Sequence, residues 1–599
     1  MADVIISCTR SGSQAGEAER LRTAALRLAP PELPAREPLL FESAGVVAAV
    51  ANPTEEGVWL HDGREGATVR GAVCVGGLFG TPGAWWQPGS EAPDGTYGLA
   101  RWDARTVELV ADICATRTLW YTLSEDGFFA STSQRALVTL LGGFDLLPEA
   151  IACFLSTGTL GPDASWDARI RRVPPDARAV LDRASWRVSV HESAGRPTPL
   201  AGDDRAQVAR LRDAIAVTCG SLNVDLERWV LALSGGCDSR ALLAFLVQNG
   251  LRPRCVTWTT RASLRKPFSD ASIARLLCRR YHVEHELLFL DDGPDLDTTV
   301  SRFVAADEGR NDEIAGYLDG FALWRSLVVT GTEGLIRGDE SFGPRSRPMA
   351  AESGRRQVGG ATPADYPESH LLRSLGLVEP TWPKRLRRTE GEDLRDYRGR
   401  ISQQGFVPIV LAGLNGPKAR YLEIVNPLLS RVVMGAVRSL PTEMREYSRA
   451  FGKIVDGLDR AVPYARSSST RSPSDLFASP EFADVVVREL TSGDIERVLP
   501  GDAALSVLAS LTVPRAGATG PKARAKALLK RAGVALPIRL TDRIHPRYSG
   551  PNRLSPAKLA WRALLANRTI SLLEDDARAL ARSGGAMALP GPGSPIAPL

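Results

Sequence analysis

The sequence predicts a mixed α/β protein in which a β-rich N-terminal domain precedes a parallel α/β domain with a helical extension. Three observations lead to this fold class. Residues 1 to about 200 contain many short apolar runs separated by glycine-rich turns, which is typical of antiparallel strands. From about residue 205, strand-like and helix-like runs alternate, which indicates a parallel sheet. Mostly helical patterns then continue to about residue 500.

The N-terminal elements are predicted from β-branched and aromatic runs and from helical spacing of apolar residues. Strands are expected at residues 45–50, 69–75, 106–111 and 128–132, and helices at 17–28 and 149–155. A stretch rich in proline and glycine at 196–202 predicts a linker. We therefore expect three domains, at 1–200, 205–500 and 501–599.

Strands and helices alternate in the next part of the chain. Strands are expected at 229–234, 254–258, 286–290 and 326–330, and helices at 240–249, 269–281 and 317–325. Residues 344–405 are polar and are interpreted as an insertion or lid, residues 521–547 are basic, and the last residues are proline- and glycine-rich, which is typical of disorder. Ligands of parallel sheets bind at the carboxyl ends of the strands.

The first of those strands runs into the segment LALSGGCDSRALLAFL, residues 231–246. Gly235 and Gly236 allow positive φ and close backbone approach, so several N–H groups can face one anion at a helix N-terminus. Ser234 and Ser239 add hydroxyl donors, and Asp238 adds a carboxylate that suits a bound cation. The segment predicts a loop for a magnesium-chelated polyphosphate. The alternative is an ordinary tight turn, which needs a glycine but neither Asp238 nor both serines.

A second glycine-rich segment, residues 331–343, follows the strand predicted at 326–330. It carries Glu333, Asp339 and Glu340. Two acidic loops at one sheet edge can hold Mg²⁺ between them and bridge nucleotide phosphates. The alternative is a solvated turn with incidental acids.

Bulk composition restricts the class of protein. A net charge of +5 over 599 residues does not indicate a nucleic-acid partner. The N-terminus lacks the basic region of a signal peptide, and we find no apolar run long enough to span a membrane. We expect a cytoplasmic protein with no membrane partner. The eight cysteines are scattered, so most are expected to be small buried hydrophobes.

With these motifs in place, the chain resembles the asparagine synthetase B family, whose synthetase domain carries SGGxDS and a later SGEGxDE-like loop. The resemblance assigns Ser234, Gly235, Gly236, Asp238 and Ser239 to ATP binding. It also assigns Asp238 and Asp339 to magnesium and Glu333 to a catalytic base. Compared with the family motif, extra residues separate Glu333 from Gly331 and from Asp339, so Glu340 is the alternative base. Phe342 and Gly343 match the end of the second motif.

The N-terminal segments YGLARWD, LVADICATRTLWYT and GFFASTSQRAL resemble the glutaminase-type domain of the same family, in the same order. The resemblance therefore covers residues 1 to about 475 and implies an Ntn-type β-sandwich followed by an ATP-pyrophosphatase-type domain. Members that use glutamine begin Met-Cys, whereas this chain begins Met-Ala-Asp, and Ala111 replaces an arginine. We expect that it does not hydrolyse glutamine.

A third family element usually places a lysine after Leu-Pro near the end of the synthetase domain. Here Arg471 stands at about that position after Val462-Pro463, with Arg466 as the alternative and Lys453 next. An arginine can stabilise developing negative charge but cannot donate its proton, so its expected role is electrostatic.

Within this family, two groups work without glutamine: β-lactam or carbapenam synthetases and lasso-peptide macrolactam synthetases. Both adenylate a carboxylate that an amine of the same molecule then attacks. The long polar segment and basic C-terminal region favour the macrolactam group, which implies a precursor peptide, a leader-binding protein and a processing protease as partners. The alternatives are a small-substrate synthetase, a tRNA-modifying enzyme and an inactive binding scaffold. A tRNA-modifying enzyme would need a larger basic surface to bind its RNA.

Overall fold

The computed structural model describes residues 2–12, 16–65, 68–193, 200, 202–290, 293–343, 358–366, 370–467, 473–511 and 554–582. The N-terminal part contains strands β1 (Asp3–Thr9), β2 (Leu39–Ser43), β3 (Val46–Ala51), β4 (Val58–Glu65), β5 (Thr68–Leu78), β6 (Gly95–Trp102), β7 (Thr106–Ala111), β8 (Trp120–Leu123), β9 (Gly127–Ser131), β10 (Arg171–Arg172), β11 (Ala177–Asp182) and β12 (Arg187–Glu192). They form two six-stranded sheets, ordered β10-β8-β9-β1-β3-β2 and β12-β11-β7-β6-β5-β4.

The two sheets enclose a common core. Neighbouring strands are antiparallel throughout, and alternate apolar side chains of both sheets, such as Ile6 and Val75, meet in one buried cluster. This arrangement confirms the predicted β-sandwich.

The second part of the chain contains a five-stranded parallel sheet. Its strands are β13 (Trp229–Ala232), β14 (Arg254–Thr259), β15 (His285–Phe289), β16 (Gly334–Ile336) and β17 (Glu423–Val425), in the order β15-β14-β13-β16-β17. Every neighbouring pair is parallel. The predicted parallel α/β architecture is therefore confirmed.

The α-helices are α1 (Glu17–Leu26), α2 (Gln134–Leu141), α3 (Pro148–Thr157), α4 (Asp204–Gly220), α5 (Cys237–Gln248), α6 (Arg261–Leu264), α7 (Asp270–Tyr281), α8 (Leu296–Asp307), α9 (Ala322–Val329), α10 (His370–Ser374), α11 (Leu394–Ile401), α12 (Ala412–Asn415), α13 (Arg431–Arg438), α14 (Thr442–Arg445), α15 (Arg449–Leu458), α16 (Pro473–Phe477), α17 (Pro480–Leu490), α18 (Ala503–Ala509), α19 (Pro556–Ala577) and α20 (Ala579–Arg582). A π-helix spans Ser402–Leu411. Short 3₁₀ turns lie at Ala315–Tyr317, Pro363–Asp365, Lys384–Leu386, Lys418–Arg420, Pro427–Leu429, Glu446–Ser448 and Gly493–Arg497.

One predicted strand is wrong. Residues 326–330 belong to the end of α9, and the strand that pairs with β13 begins only at Gly334. Leu323 and Leu327 are buried one helical turn apart, whereas Val329 is 72% exposed. A short apolar run fits both periodicities, and here packing favours the helix.

The two parts of the chain are joined by polar contacts. The backbone N–H of Arg431 donates to Asp94, and the Arg431 guanidinium pairs with Asp176 at 2.8 Å. Arg420 forms ion pairs with Asp3 of β1 and with Glu308. These contacts hold the sandwich against the part of the parallel sheet around β17.

The C-terminal region differs from the expected basic extension. The basic stretch 521–547 and the proline-rich tail lie outside the described residues, but α19 between them is a buried helix of 22 residues. Leu564 and Leu565 are almost fully buried, and the helix packs against α2, α3, α8 and α17. Residues 554–582 therefore complete the core that the N-terminal and central parts share.

The 196–202 linker lies mostly outside the described residues, as do residues 344–357 of the polar insertion. The eight cysteines, all within the described residues, form no disulfide, and seven of them are buried, which confirms the prediction that most are small buried hydrophobes. Within the described part of the chain, no helix combines the length and apolar character needed to cross a membrane.

Candidate functional site

The predicted phosphate loop joins β13 to α5 at the carboxyl edge of the parallel sheet. Gly236 precedes the helix in an extended conformation and has no side chain with which to cap it. The Ser234 and Ser239 hydroxyls lie 3.1 Å apart, and Ser239 also accepts the Ser234 backbone N–H at 3.0 Å. The loop is thus a closed turn whose hydroxyls and first-turn N–H groups lie at the positive end of a helix dipole.

A second loop, residues 337–343, follows β16 at the same edge. Its Gly338 lies against the first loop: a Cβ at this position would be 2.7 Å from the Ser239 nitrogen and 2.8 Å from the Asp238 carbonyl carbon. Only glycine permits so close an approach of the two backbones. The structure therefore brings the two acidic segments together, as the sequence predicted.

Asp339 lies partly buried beside this contact. Arg337 donates to both of its carboxylate oxygens, at 2.9 and 2.8 Å, and Asn415 and Asn426 donate to one of them at 3.1 and 3.0 Å. Burial alone would raise the pKa of Asp339, but the charge and hydrogen bonds of Arg337 and the bond from Asn415 hold it well below its usual range. The carboxylate is therefore anionic, as a magnesium ligand must be.

A third segment, residues 462–467, packs on the phosphate loop. Arg240 of α5 donates to the carbonyls of Val462 and Pro463 at 2.6 and 2.7 Å, and the Ala465 N–H donates to the Gly235 carbonyl at 3.0 Å. A Cβ on Gly235 would lie 2.5 Å from that of Ala465. The segment that precedes the predicted cation is thus fixed against the loop.

The predicted cations have different positions. Arg466 is exposed on this segment and stacks on Phe268, 4.8 Å from its ring centroid. Phe268 lies two residues before Asp270, whose carboxylate accepts the Gly235 N–H at 3.1 Å. Arg471 lies outside the described residues. Lys453 forms an exposed ion pair with Asp204 of α4 at 2.8 Å, so it is engaged at the surface.

Glu333 is not at this edge, and the prediction of its position is wrong. It precedes β16, and its N–H donates to Arg228, the residue before β13, at 2.8 Å. Because β13 and β16 are parallel, Glu333 lies at the amino ends of the strands, across the sheet from Asp238. Its carboxylate pairs with Arg228 and accepts the Glu56 N–H. The misplaced strand at 326–330 caused this error.

Glu340, the alternative to Glu333, does lie in the loop after β16. Its carboxylate accepts the Phe342 N–H at 2.5 Å and the Ser448 hydroxyl at 3.2 Å. These contacts give Glu340 a loop-forming role in this conformation.

Several residues of the site were missed in the sequence. Arg337 could have been found, because it stands two positions before Asp339. Arg240, Asn415 and Asn426 reach the site only through the fold and carry no local signal. Among the described residues no cluster of three or more His, Cys, Asp or Glu side chains could hold a metal by itself. A magnesium ion here would need phosphate oxygens as further ligands, which is how magnesium is usually bound.

Comparisons with known proteins give only remote likenesses. No protein-family model matches the sequence, and no curated protein matches it. The NMN synthetase from Francisella tularensis is 16% identical over 24% of this chain and 57% of that chain, with a TM-score of 0.16. This chain thus spans just over half the length of that synthetase.

Two larger proteins align over 58% of this chain. One is described as the allosteric regulatory enzyme of purine biosynthesis, with 10% identity, 82% of that chain covered and a TM-score of 0.21. The other is glutamine phosphoribosylpyrophosphate amidotransferase from B. subtilis, with 9% identity, 83% covered and a TM-score of 0.21. Similarity at this level establishes neither a family nor an activity, and function depends on the residues of the site.

Proposed function

We propose that this protein is an ATP-dependent, AMP-forming synthetase that joins a carboxylate to an amine. The observation that carries the proposal is the backbone contact between Gly338 and the Asp238–Ser239 turn at the carboxyl edge of the sheet. It brings a helix N-terminus and two acidic loops into one site, which suits a polyphosphate with its magnesium ion.

The residues at this edge fit the proposed ligand. Ser234, Gly235, Gly236 and Ser239 would hold the phosphates, and Asp238 and Asp339 would share the magnesium ion. The cation supplies neutralisation of phosphate charge. Arg337 now pairs with Asp339, so binding requires the guanidinium to turn away or to contact a phosphate itself.

The proposed reaction has two steps. A substrate carboxylate oxygen attacks the α-phosphorus of ATP, and the bond to pyrophosphate breaks, leaving an acyl-adenylate. An amine nitrogen then attacks the acyl carbon, AMP leaves with the electron pair, and the nitrogen loses a proton to solvent or a base. Glu333 is not proposed as that base, because it lies at the other sheet edge. Arg471, with Arg466 as the alternative, would face the developing negative charge.

The finer proposal is that the substrate is a precursor peptide whose side-chain carboxylate and N-terminal amine close into a macrolactam, as in lasso-peptide synthetases. The sequence resemblance and the long polar insertion support it. A leader-binding protein and a precursor-processing protease would then be partners. Synthesis from a small amino-acid-derived substrate is the second candidate, because the cavity behind Asn415 and Asn426, which contact Asp339, measures only about 50 Å³.

Nucleotide binding by the full chain tests the first requirement of the proposal, which is that the protein binds magnesium-ATP. Wild type should bind the α,β-methylene analogue of ATP in a magnesium-dependent manner in calorimetry. Asp238→Ala and Asp339→Ala should each weaken that binding at least about tenfold with magnesium present, since each removes a charged ligand. Asp213→Ala, on the exposed face of α4, is the matched control.

Four outcomes separate the candidates. Unchanged binding in both variants would contradict the shared magnesium site, and absence of nucleotide binding in wild type would favour an inactive scaffold. If the nucleotide binds, ATP–pyrophosphate exchange stimulated by a short peptide encoded beside the gene would support macrolactam formation. Stimulation only by small amino acids would favour the second candidate.

A further inference from the structure

A partly open cavity of about 50 Å³ lies between the β-sandwich and the parallel sheet. Polar side chains of both parts line it, including Thr96, Thr116, Thr118, Asp3, Asp307 and Arg310. One buried water needs about 10–15 Å³ by this kind of measure, so the space holds roughly three to five waters. A cavity of this size and polarity is large enough for a small polar ligand.

Arg310 is the unusual member of this lining. Its guanidinium donates through Nη2 to the Thr118 hydroxyl at 2.6 Å, and no described residue forms an ion pair with it or accepts from its Nε or Nη1. By contrast, Arg420 in the same lining pairs with both Asp3 and Glu308. These donors face a polar cavity without an acceptor among the described residues, so an anionic ligand could pair with the guanidinium there.

Arg310 lies near charges of both signs. Burial lowers its pKa, the charges of Asp307 and Glu308 oppose that shift, and the charges of Arg420 and Arg117 add to it. Arg172 donates to the same Thr118 hydroxyl at 3.4 Å, and no described residue forms an ion pair with it. Two guanidiniums therefore converge on one hydroxyl, and an anion would relieve their repulsion.

We propose that this cavity binds a small monocarboxylate, with Arg310 as its cation. The planar fork of an arginine matches the two oxygens of a carboxylate. Asp3 in the same lining disfavours a dianion such as hydrogen phosphate, since the second negative charge would be repelled. The volume limits the ligand to a carboxylate on one or two carbons, or to the end of an acidic side chain.

The cavity adjoins the candidate active site. Asn415 and Asn426 line it and also donate to the Asp339 carboxylate, so a single layer of side chains separates the two. A carboxylate here would belong to the substrate of the synthetase, and that assignment rests on the function proposed above. The binding of the carboxylate itself does not depend on that function.

Thermal melting of the full chain at constant ionic strength provides the first test. Sodium formate and sodium acetate should raise the melting temperature progressively with concentration, whereas chloride and phosphate should not. Arg310→Gln should remove this shift, and direct acetate binding followed by ¹³C NMR should weaken about tenfold or more. Arg310→Lys should bind more weakly than wild type because the fork is lost.

Arg254→Gln is the matched control. Arg254 is also partly buried and also donates to a threonine hydroxyl, that of Thr332 at 2.9 Å, but it does not line the cavity. Its variant should keep the acetate shift. Equal shifts in the Arg310→Gln variant, no shift with any carboxylate, or an equal response to chloride or phosphate would each overturn the proposal.

Nucleotide binding distinguishes this inference from the proposed function. If Arg310→Gln loses acetate but still binds the ATP analogue, the carboxylate site stands. If wild type binds acetate but not the analogue, the site also stands while the synthetase proposal fails.

Discussion

At the residue scale, the geometry of the candidate site depends on Gly338 having no side chain. The nitrogen of Ser239 and the carbonyl carbon of Asp238 occupy the space that a Cβ would need. Both are backbone atoms, so they cannot move aside as the end of a flexible side chain could. Any larger residue must separate the loops that carry Asp238 and Asp339.

We therefore predict that Gly338→Ala weakens binding of the magnesium–nucleotide analogue by about 10²-fold, because a displacement of about 1 Å is enough for such a loss. It should also lower the free energy of unfolding by about 1–3 kcal/mol through overpacking. Calorimetry and urea denaturation measure the two effects.

Gly435→Ala provides the control, since no atom lies within 4 Å of the place that its new methyl group would take and the residue is exposed in α13. This variant should bind normally and gain up to about 1 kcal/mol from helix propensity. Normal nucleotide binding by Gly338→Ala would show that the loop contact does not shape the site.

At the element scale, α19 links distant parts of the chain through two buried acidic contacts. Asp576 accepts from Arg27 and Arg135 of the N-terminal part, both at 2.7 Å, and is fully buried. Near the other end of α19, Arg562 pairs with Asp312 at 2.6 Å. The helix is thereby fixed in register on its neighbours.

Adjacent residues in this helix give a direct test of burial. Asp576→Ala should lower the free energy of unfolding by about 3–5 kcal/mol, because two guanidiniums lose a buried partner. Asp575→Ala removes ion pairs of similar length to Arg27 and Arg582, but the Asp575 side chain is 41% exposed, so its loss should stay within about 1 kcal/mol. Urea denaturation followed by tryptophan fluorescence would measure both, and equal losses would refute the argument.

At the scale of the whole molecule, buried carboxyls between the two parts make stability depend on pH in opposite directions. Burial raises the pKa of Asp307 to about 7 despite its backbone hydrogen bonds and the nearby Arg310. For Asp3, burial is outweighed by Arg420 and Arg117, which lower its pKa. Asp3 therefore stabilises the fold above its unfolded pKa of about 4 and loses this effect as the pH falls.

Asp307 acts in a separate window. Between about pH 4 and 7 the folded state keeps a proton that the unfolded state has released, so this group lowers stability as the pH rises. The slope from one such group is at most about 1.4 kcal/mol per pH unit. We predict that Asp307→Asn flattens the fall in unfolding free energy between about pH 5 and 7. Denaturation across that range would check this, with Asp213→Asn as the unchanged control.

The sequence predicted those parts of the fold that depend on neighbouring residues. The turn from β13 to α5 was found because a buried strand, two glycines and an amphipathic helix follow one another directly. The end of α9 was mistaken for a strand, because Leu327-Val328-Val329 suits either structure until its neighbours are known. Because of that error, Glu333 is predicted at the carboxyl edge of the sheet, whereas it lies at the amino ends of the strands.

Long-range contacts could not be predicted in this way. Asn426 reaches Asp339 across 87 positions of sequence, and Arg240 reaches Val462 across 222. The burial of α19 did leave a signal, since the buried residues Ala566, Ile570 and Leu573 recur at intervals of four and three residues, but the basic residues before it obscured that pattern. The domain boundaries and the role of Arg471 remain predictions.

The position of α19 also has a consequence for biosynthesis. Helices α2 and α3 leave the ribosome about 400 residues before the helix that covers them. At a translation rate of about 5–20 residues per second, their apolar faces stay uncovered by α19 for roughly 20 to 80 s. The sandwich can form its sheets early, but its helical layer becomes complete only after release of almost the whole chain. Nascent chains stalled before α19 should therefore be bound by general chaperones that recognise exposed apolar surface.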